Sequence, residues 1–337
     1  DDQQGLAHFM EHMNFNGTKN YPKNKLVDFL QSIGVEFGAD LNAYTSFDET
    51  VYILPIPTDK PGNLESGFQV IEDWAHNANL TETDINEERN VVLEESRLGK
   101  GADDRMAKKY LPKLLAGSQY GERLPIGKDD ILKTFKPETI RSFYRDWYRP
   151  DLMAVAVVGD ITIPQAEALI KKHFSGMKNP AQERPRKAFE VKPYTEASAM
   201  VLTDKEATNY MFQLFFSARK EKEQVTLNDY RSNIVKSLFT QILNRRLQEL
   251  TRTANPPFAF AYGFAESYAR GYESFGLIAS PTTDIETAVK AAVAEVVKAE
   301  EFGFTASELD IEKKQMLSNI EKPYNERNTT ESGNLVS

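Results

Sequence analysis

The sequence contains no cysteine. That one absence removes disulfides, thiolate metal sites and cysteine nucleophiles together, so any metal must be held by His, Asp or Glu. Histidine is scarce as well: His8, His12, His76 and His173 are the whole supply. No apolar run approaches the roughly 18 residues of a membrane span, so none is expected. Positive charge is in deficit. The 41 Lys and Arg stand against 50 Asp and Glu, a net charge of −9, which makes nucleic acid a poor partner. A chain without cysteine suits the bacterial envelope and the cytosol alike. The rest is ordinary for a globular protein: 40% hydrophobic and 27% charged residues. At 337 residues, two domains fit better than one.

Helical periodicity runs through residues 6–16, ended by the Asn16-Gly17 pair, a C-terminal cap signal. A second helix is predicted from Asn24 to Ile33, with Leu26, Phe29, Leu30 and Ile33 on one face. Further helices are predicted over 64–78, over 84–98 with Thr83 or Asp84 as cap, over 103–115, from Pro137 to 148, and from Ile163 to Phe174. Thr50 to Ile56 alternates like a strand, and the apolar run Leu152 to Val158 reads as a buried one. The proline-rich stretch from Asn179 to Pro193 reads as a linker. Beyond it, strands are expected near 198–203, 209–217, 258–265 and 272–280, with helices near 226–250, 284–301 and 305–320. Strands and helices mix without strict alternation, so the class is α+β. The expected division is a domain over 1–180, a linker over 181–195 and a second, incomplete domain over 196–337.

The chemistry lies in His8-Phe9-Met10-Glu11-His12. On a helix, histidines four residues apart stand one turn above each other on one face, so both imidazoles can reach one ion. Glu11 stands beside them. This H-x-x-E-H order is an inverted zinc-protease motif. Zinc makes water acidic, and a neighbouring carboxylate can take its proton. Two histidines do not complete a zinc site. The residues alone leave the third ligand open among His76, His173 and the carboxylates of the stretch Glu87 to Glu95, where Glu88 and Glu95 are seven apart on one helix face. Met10 and Met13 are expected to pack the helix down, Trp74 and Trp147 to lie in the core, and Arg245-Arg246 to sit on a solvated face.

The motif and its surroundings carry a resemblance. Gly5-Leu6-Ala7 leading into the motif, Phe15-Asn16-Gly17-Thr18, Asn42-Ala43-Tyr44-Thr45, Glu88 to Glu95, Leu124-Pro125-Ile126-Gly127 and Tyr148-Arg149-Pro150-Asp151 resemble the pitrilysin/insulinase family of zinc metallopeptidases, the inverted zincins. The pattern is nearest to the family's long bacterial zinc proteases. The resemblance implies one Zn2+ per site, held by His8, His12 and Glu95, with Glu88 supporting a ligand and Glu11 as general base. It places a peptide substrate as an added strand at Asn42 and Ala43. It implies two homologous α/β-roll domains, one half of a clamshell whose C-terminal half completes the active site, and a periplasmic or cell-envelope setting in bacteria. The motif begins at residue 8 with no targeting stretch before it, so the chain is expected to be part of a longer zinc endopeptidase. The alternatives are a non-catalytic partner of the same fold, or a piece inactive without its C-terminal half.

Overall fold

Caps and proline set where the helices begin, and neighbouring strands decide which extended runs become sheet. In the computed structural model, residues 2–35, 42–115 and 117–335 are described. The first stretch carries α1 (Leu6–Asn16), α2 (Lys25–Ser32), β1 (Asn42–Thr45), β2 (Thr50–Ile53), α3 (Asn63–His76) and α4 (Glu82–Leu98). Next come α5 (Ala102–Leu114), α6 (Asp129–Thr134), α7 (Pro137–Trp147) and α8 (Ile163–Phe174). The remainder holds β3 (Phe212–Phe215), β4 (Arg219–Lys220), α9 (Leu227–Leu250), β5 (Phe258–Ala269), β6 (Tyr272–Pro281), α10 (Ile285–Phe302) and α11 (Ala306–Glu326). The class is α+β, with helices packed on antiparallel sheets.

Pro137 and Pro164 occupy first turns, where a missing N–H costs nothing. Thr226 with Asp229 and Thr305 with Glu308 close capping boxes at α9 and α11. The cap of α4 is Thr81, not Thr83 or Asp84. Its hydroxyl accepts from the Asp84 N–H at 3.1 Å, because a cap satisfies the amide three residues on.

Two compact units emerge. The first comprises 1–100, 122–188 and 330–337, and the second 101–121 and 189–329. In the first, β1 pairs antiparallel with β2, placing Asn42 opposite Ile53 and Thr45 opposite Thr50. Its cores are Leu6, Phe9, Met10 and Met13 of α1 against Ile85, Val92, Leu132 and Ile140, and Leu26 and Leu30 of α2 against Val70 and Trp74. Full burial of such side chains stabilises by about 1.5–3 kcal/mol each, so α1 is anchored along its whole apolar side. In the second unit β6 is flanked by β5 on one edge and by β3 and β4 on the other. α9 and α10 supply Leu243, Leu247, Ala288 and Ala292 to its core.

Two predicted strands do not form. Among the described residues, 153–158 bond to no strand, and their burial alternates, leaving Val158 42% exposed. The stretch 198–203 is likewise unpaired, with Val201 almost fully exposed. An apolar run becomes strand only where a neighbour satisfies its backbone groups. Arg245 and Arg246 do not lie on a purely solvated face: they pair with Glu312 and Glu308 of α11.

Candidate metal centre

The candidate centre begins with how α1 is seated. Gly5 precedes the helix at φ +91°, and Gly127 stands against it at φ +81°. A Cβ on Gly127 would come within 2.4 Å of the Gly5 Cα, so this backbone-to-backbone contact requires glycine. It packs the Leu124–Gly127 turn onto the start of α1. With Leu6, Phe9, Met10 and Met13 buried, His8, Glu11 and His12 occupy the half-buried side of the helix. The two imidazole rings stand 4.7 Å apart between centroids.

α4 packs on α1 and brings two carboxylates to these rings. His8 Nε2 lies 3.4 Å from Glu95 Oε1, and His12 Nε2 lies 3.2 Å from Glu95 Oε2. Two turns earlier, Glu88 Oε1 is 2.8 Å from His12 Nδ1, while its Oε2 accepts from Asn16 Nδ2 at 2.7 Å. Glu94 turns away and pairs with Arg97. His76 and His173 stand elsewhere, on α3 and α8, paired with Glu72 and Glu65. One cluster among the described residues therefore gathers three groups able to hold a metal, His8, His12 and Glu95, with ligand atoms within 4.8 Å of one another.

The electrostatics of the two histidines differ. Burial pulls His12 down, but the Glu88 hydrogen bond and the charges of Glu88, Glu95 and Glu11 outweigh it and hold the imidazole above its ordinary value. For His8 burial prevails, helped by His12, and the value is lowered. The buried Nδ1 of His8 has no hydrogen-bond partner among the described residues.

Several neighbours carry no signal in the motif itself. Thr45 Oγ1 donates to Glu11 Oε2 at 2.5 Å. The hydroxyls of Tyr52 and Tyr148 lie 2.6 Å apart, and Asn14 Nδ2 donates to Tyr52. Burial pushes both phenols well above their usual range, so they stay neutral. Asn16 was read only as a helix end, yet it holds Glu88. Alternation along β1 is the signal that could have found Thr45: Ala43 and Thr45 share the half-buried face, while Asn42 and Tyr44 face out. β1 pairs only with β2 among the described residues, so its other edge has no strand partner there.

The donor set suits zinc. Two imidazole nitrogens and a carboxylate converge, and the Glu88 bond at Nδ1 leaves the Nε2 lone pair of His12 turned inward.

Comparison with known proteins settles the family. Residues 1–120 match Insulinase (Peptidase family M16), and residues 134–316 match the Peptidase M16 inactive domain. The chain belongs to the M16 peptidase family. This M16 chain is 35% identical over 317 residues to the Escherichia coli (strain K12) protein named "Probable zinc protease PqqL", covering 92% of this chain and 33% of that one. It is 31% identical over 336 residues to the Arabidopsis thaliana "Zinc protease PQQL-like", covering 99% and 32%. The chain thus spans about a third of the length of these curated relatives. The crystal structure of the first half of the periplasmic protease PqqL from Escherichia coli superposes with a TM-score of 0.89 at 30% identity, over 99% of this chain and 72% of that one. Pitrilysin shares the fold, at a TM-score of 0.67 and 19% identity. No helix among the described residues is long and apolar enough to cross a membrane.

Proposed function

We propose that this M16 chain carries the catalytic centre of a zinc-dependent endopeptidase that hydrolyses peptides or unfolded segments. The observation that carries the reading is the convergence of the two Nε2 atoms on Glu95, with Glu11 one residue from a ligand on the same helix. His8, His12 and Glu95 would hold one zinc ion, and Glu88 would orient His12 through Nδ1. When bound there, zinc supplies Lewis acidity, making water acidic and polarising a carbonyl. Glu11 takes the proton of the attacking water on its carboxylate and returns it to the leaving amine. The edge of β1 away from β2, at Asn42 and Ala43, receives the peptide as an added strand, which gives affinity with little demand on sequence. The length of the relatives supports a further C-terminal half that completes the site. The periplasmic description of PqqL supports a periplasmic or envelope setting.

The test is zinc analysis and peptide hydrolysis by the full-length protein and its Glu11→Gln variant. The expected outcome is one zinc per site in both proteins, with hydrolysis lowered by about 10²–10⁴-fold in the variant. Equal cleavage by the two would remove Glu11 as base. Stoichiometric zinc without any hydrolysis by the wild type would favour a non-catalytic partner of the same fold.

A further inference from the structure

A base acts only where its carboxylate is held, and the helix alone does not hold Glu11: a Glu side chain has several rotamers to lose. We infer that Thr45 is the positioning residue for Glu11, and that it couples the base to the strand on which the peptide is proposed to lie. This rests on the endopeptidase reading. The hydroxyl of Thr45 reaches Glu11 Oε2 at 2.5 Å, from a residue 34 positions away. The Thr45 hydroxyl is the donor and the Glu11 carboxyl oxygen the acceptor. Its own oxygen is then free to accept, and Thr50 Oγ1, its cross-strand partner, lies 3.3 Å away.

Two consequences follow from the geometry. With Oε2 engaged, Oε1 is the oxygen left to receive the proton of water. And β1 is only four residues long, so the segment that offers its edge at Asn42 and Ala43 is the same short strand whose Thr45 grips the base. A peptide seated in register on β1 is thereby set in register with Glu11. The plainer account makes Thr45 an ordinary β-branched strand residue whose hydroxyl is incidental. The two accounts differ in what the hydroxyl does.

The experiment compares Thr45→Val, which keeps the β-branch and removes the hydroxyl, with Thr45→Ser, which keeps the hydroxyl, both in the full-length protein. Thr45→Val is expected to lower kcat by about 10- to 100-fold, with KM and zinc stoichiometry nearly unchanged. Thr45→Ser is expected to stay near the wild-type rate. A crystal structure of the metal-free Thr45→Val protein should show the Glu11 carboxylate displaced from its position beside β1. Wild-type kcat in Thr45→Val overturns the inference. So does an equal loss in both variants, or a change confined to KM, since each points to strand packing alone. If Thr45→Val does not fold, Thr45→Ala replaces it under the same criteria. Should the wild type itself fail to cleave peptides, or Glu11→Gln cleave as well as the wild type, the endopeptidase reading has failed instead. The position of Glu11 in the metal-free variant then still decides whether Thr45 holds it.

Discussion

The first unit contains two clusters of the same composition, two histidines and two glutamates, each with its glutamates seven apart on one helix. Glu88 and Glu95 stand on α4 beside His8 and His12 of α1; Glu65 and Glu72 stand on α3 beside His76 and His173. They differ in how closely their ligand atoms gather. The buried His173 ring has a different carboxylate at each nitrogen, Glu72 at 2.6 Å from Nδ1 and Glu65 at 3.1 Å from Nε2, and Lys172 also pairs with Glu65. His76 Nε2 also reaches Glu72, at 3.8 Å, so here too two rings share one carboxylate. In the α1–α4 cluster Glu95 takes that place and Glu88 ties off the outer nitrogen of His12, but only here, among the described residues, do the ligand atoms of two histidines and a carboxylate all lie within 4.8 Å of one another. Composition and spacing make both clusters look like candidates. Convergence separates a ligand set from a closed network of ion pairs.

The contrast can be broken by removing one group at a time in the full-length protein. Glu95→Ala is expected to give the largest effect, loss of stoichiometric zinc by metal analysis, because two histidines alone do not complete a site. Full occupancy in that variant would reassign the third ligand. Glu88→Gln is expected to keep zinc but weaken its affinity by about 10- to 100-fold, the usual cost of losing a partner that orients a ligand. In the other cluster the signs reverse. His173→Ala should leave zinc untouched and lower stability by about 2 kcal/mol in denaturant unfolding, since hydrogen bonds to carboxylates are lost at a buried ring. The figure is kept modest because Glu65 is 44% exposed. Zinc loss in His173→Ala would mean that the two clusters are not independent.

How much of this was legible depends on whether the signal is local. The start and end of α1 follow from periodicity and the Asn16-Gly17 cap, and the same short-range rules place α3, α7, α8, α9 and α10 close to their observed ends. The two candidate ligand histidines and the proposed base are legible because one helix turn brings them together. The third position was not. Spacing alone leaves His76, His173 and several glutamates open and only the family resemblance points to Glu95; the packing of α4 on α1 turns Glu95 toward the rings and Glu94 away. Strands were read less well than helices, since 153–158 and 198–203 have strand composition but no partner. β1 is hidden for a different reason: four residues are too few for alternation to stand out, although it pairs with β2. Arg245 and Arg246 were misread because their partners lie on another helix, 67 and 62 residues away.

The smallest expected effect is a displacement along the pH axis, and it sharpens the contrast most, because it reads direction rather than presence. A histidine must lose its proton before its Nε2 can bind an ion. His8 lies below the ordinary 6.5, because burial dominates; His12 lies above it, because burial is outweighed by Glu88, Glu95 and Glu11. The proton of His12 is therefore the last to leave, and zinc affinity should keep rising above pH 6.5. In Glu88→Gln that charge is gone, so the rise should level off at a lower pH, although the plateau is weaker. In the metal-free protein the signs are opposite for the two rings. The raised value of His12 contributes stability that is present below pH 6.5 and lost as pH rises through that value. The lowered value of His8 contributes stability that is present above 6.5 and lost as pH falls. Zinc titration across pH in the wild type and Glu88→Gln measures the first effect. Identical profiles would show that Glu88 does not govern the proton of His12, and would reduce its role to holding Asn16.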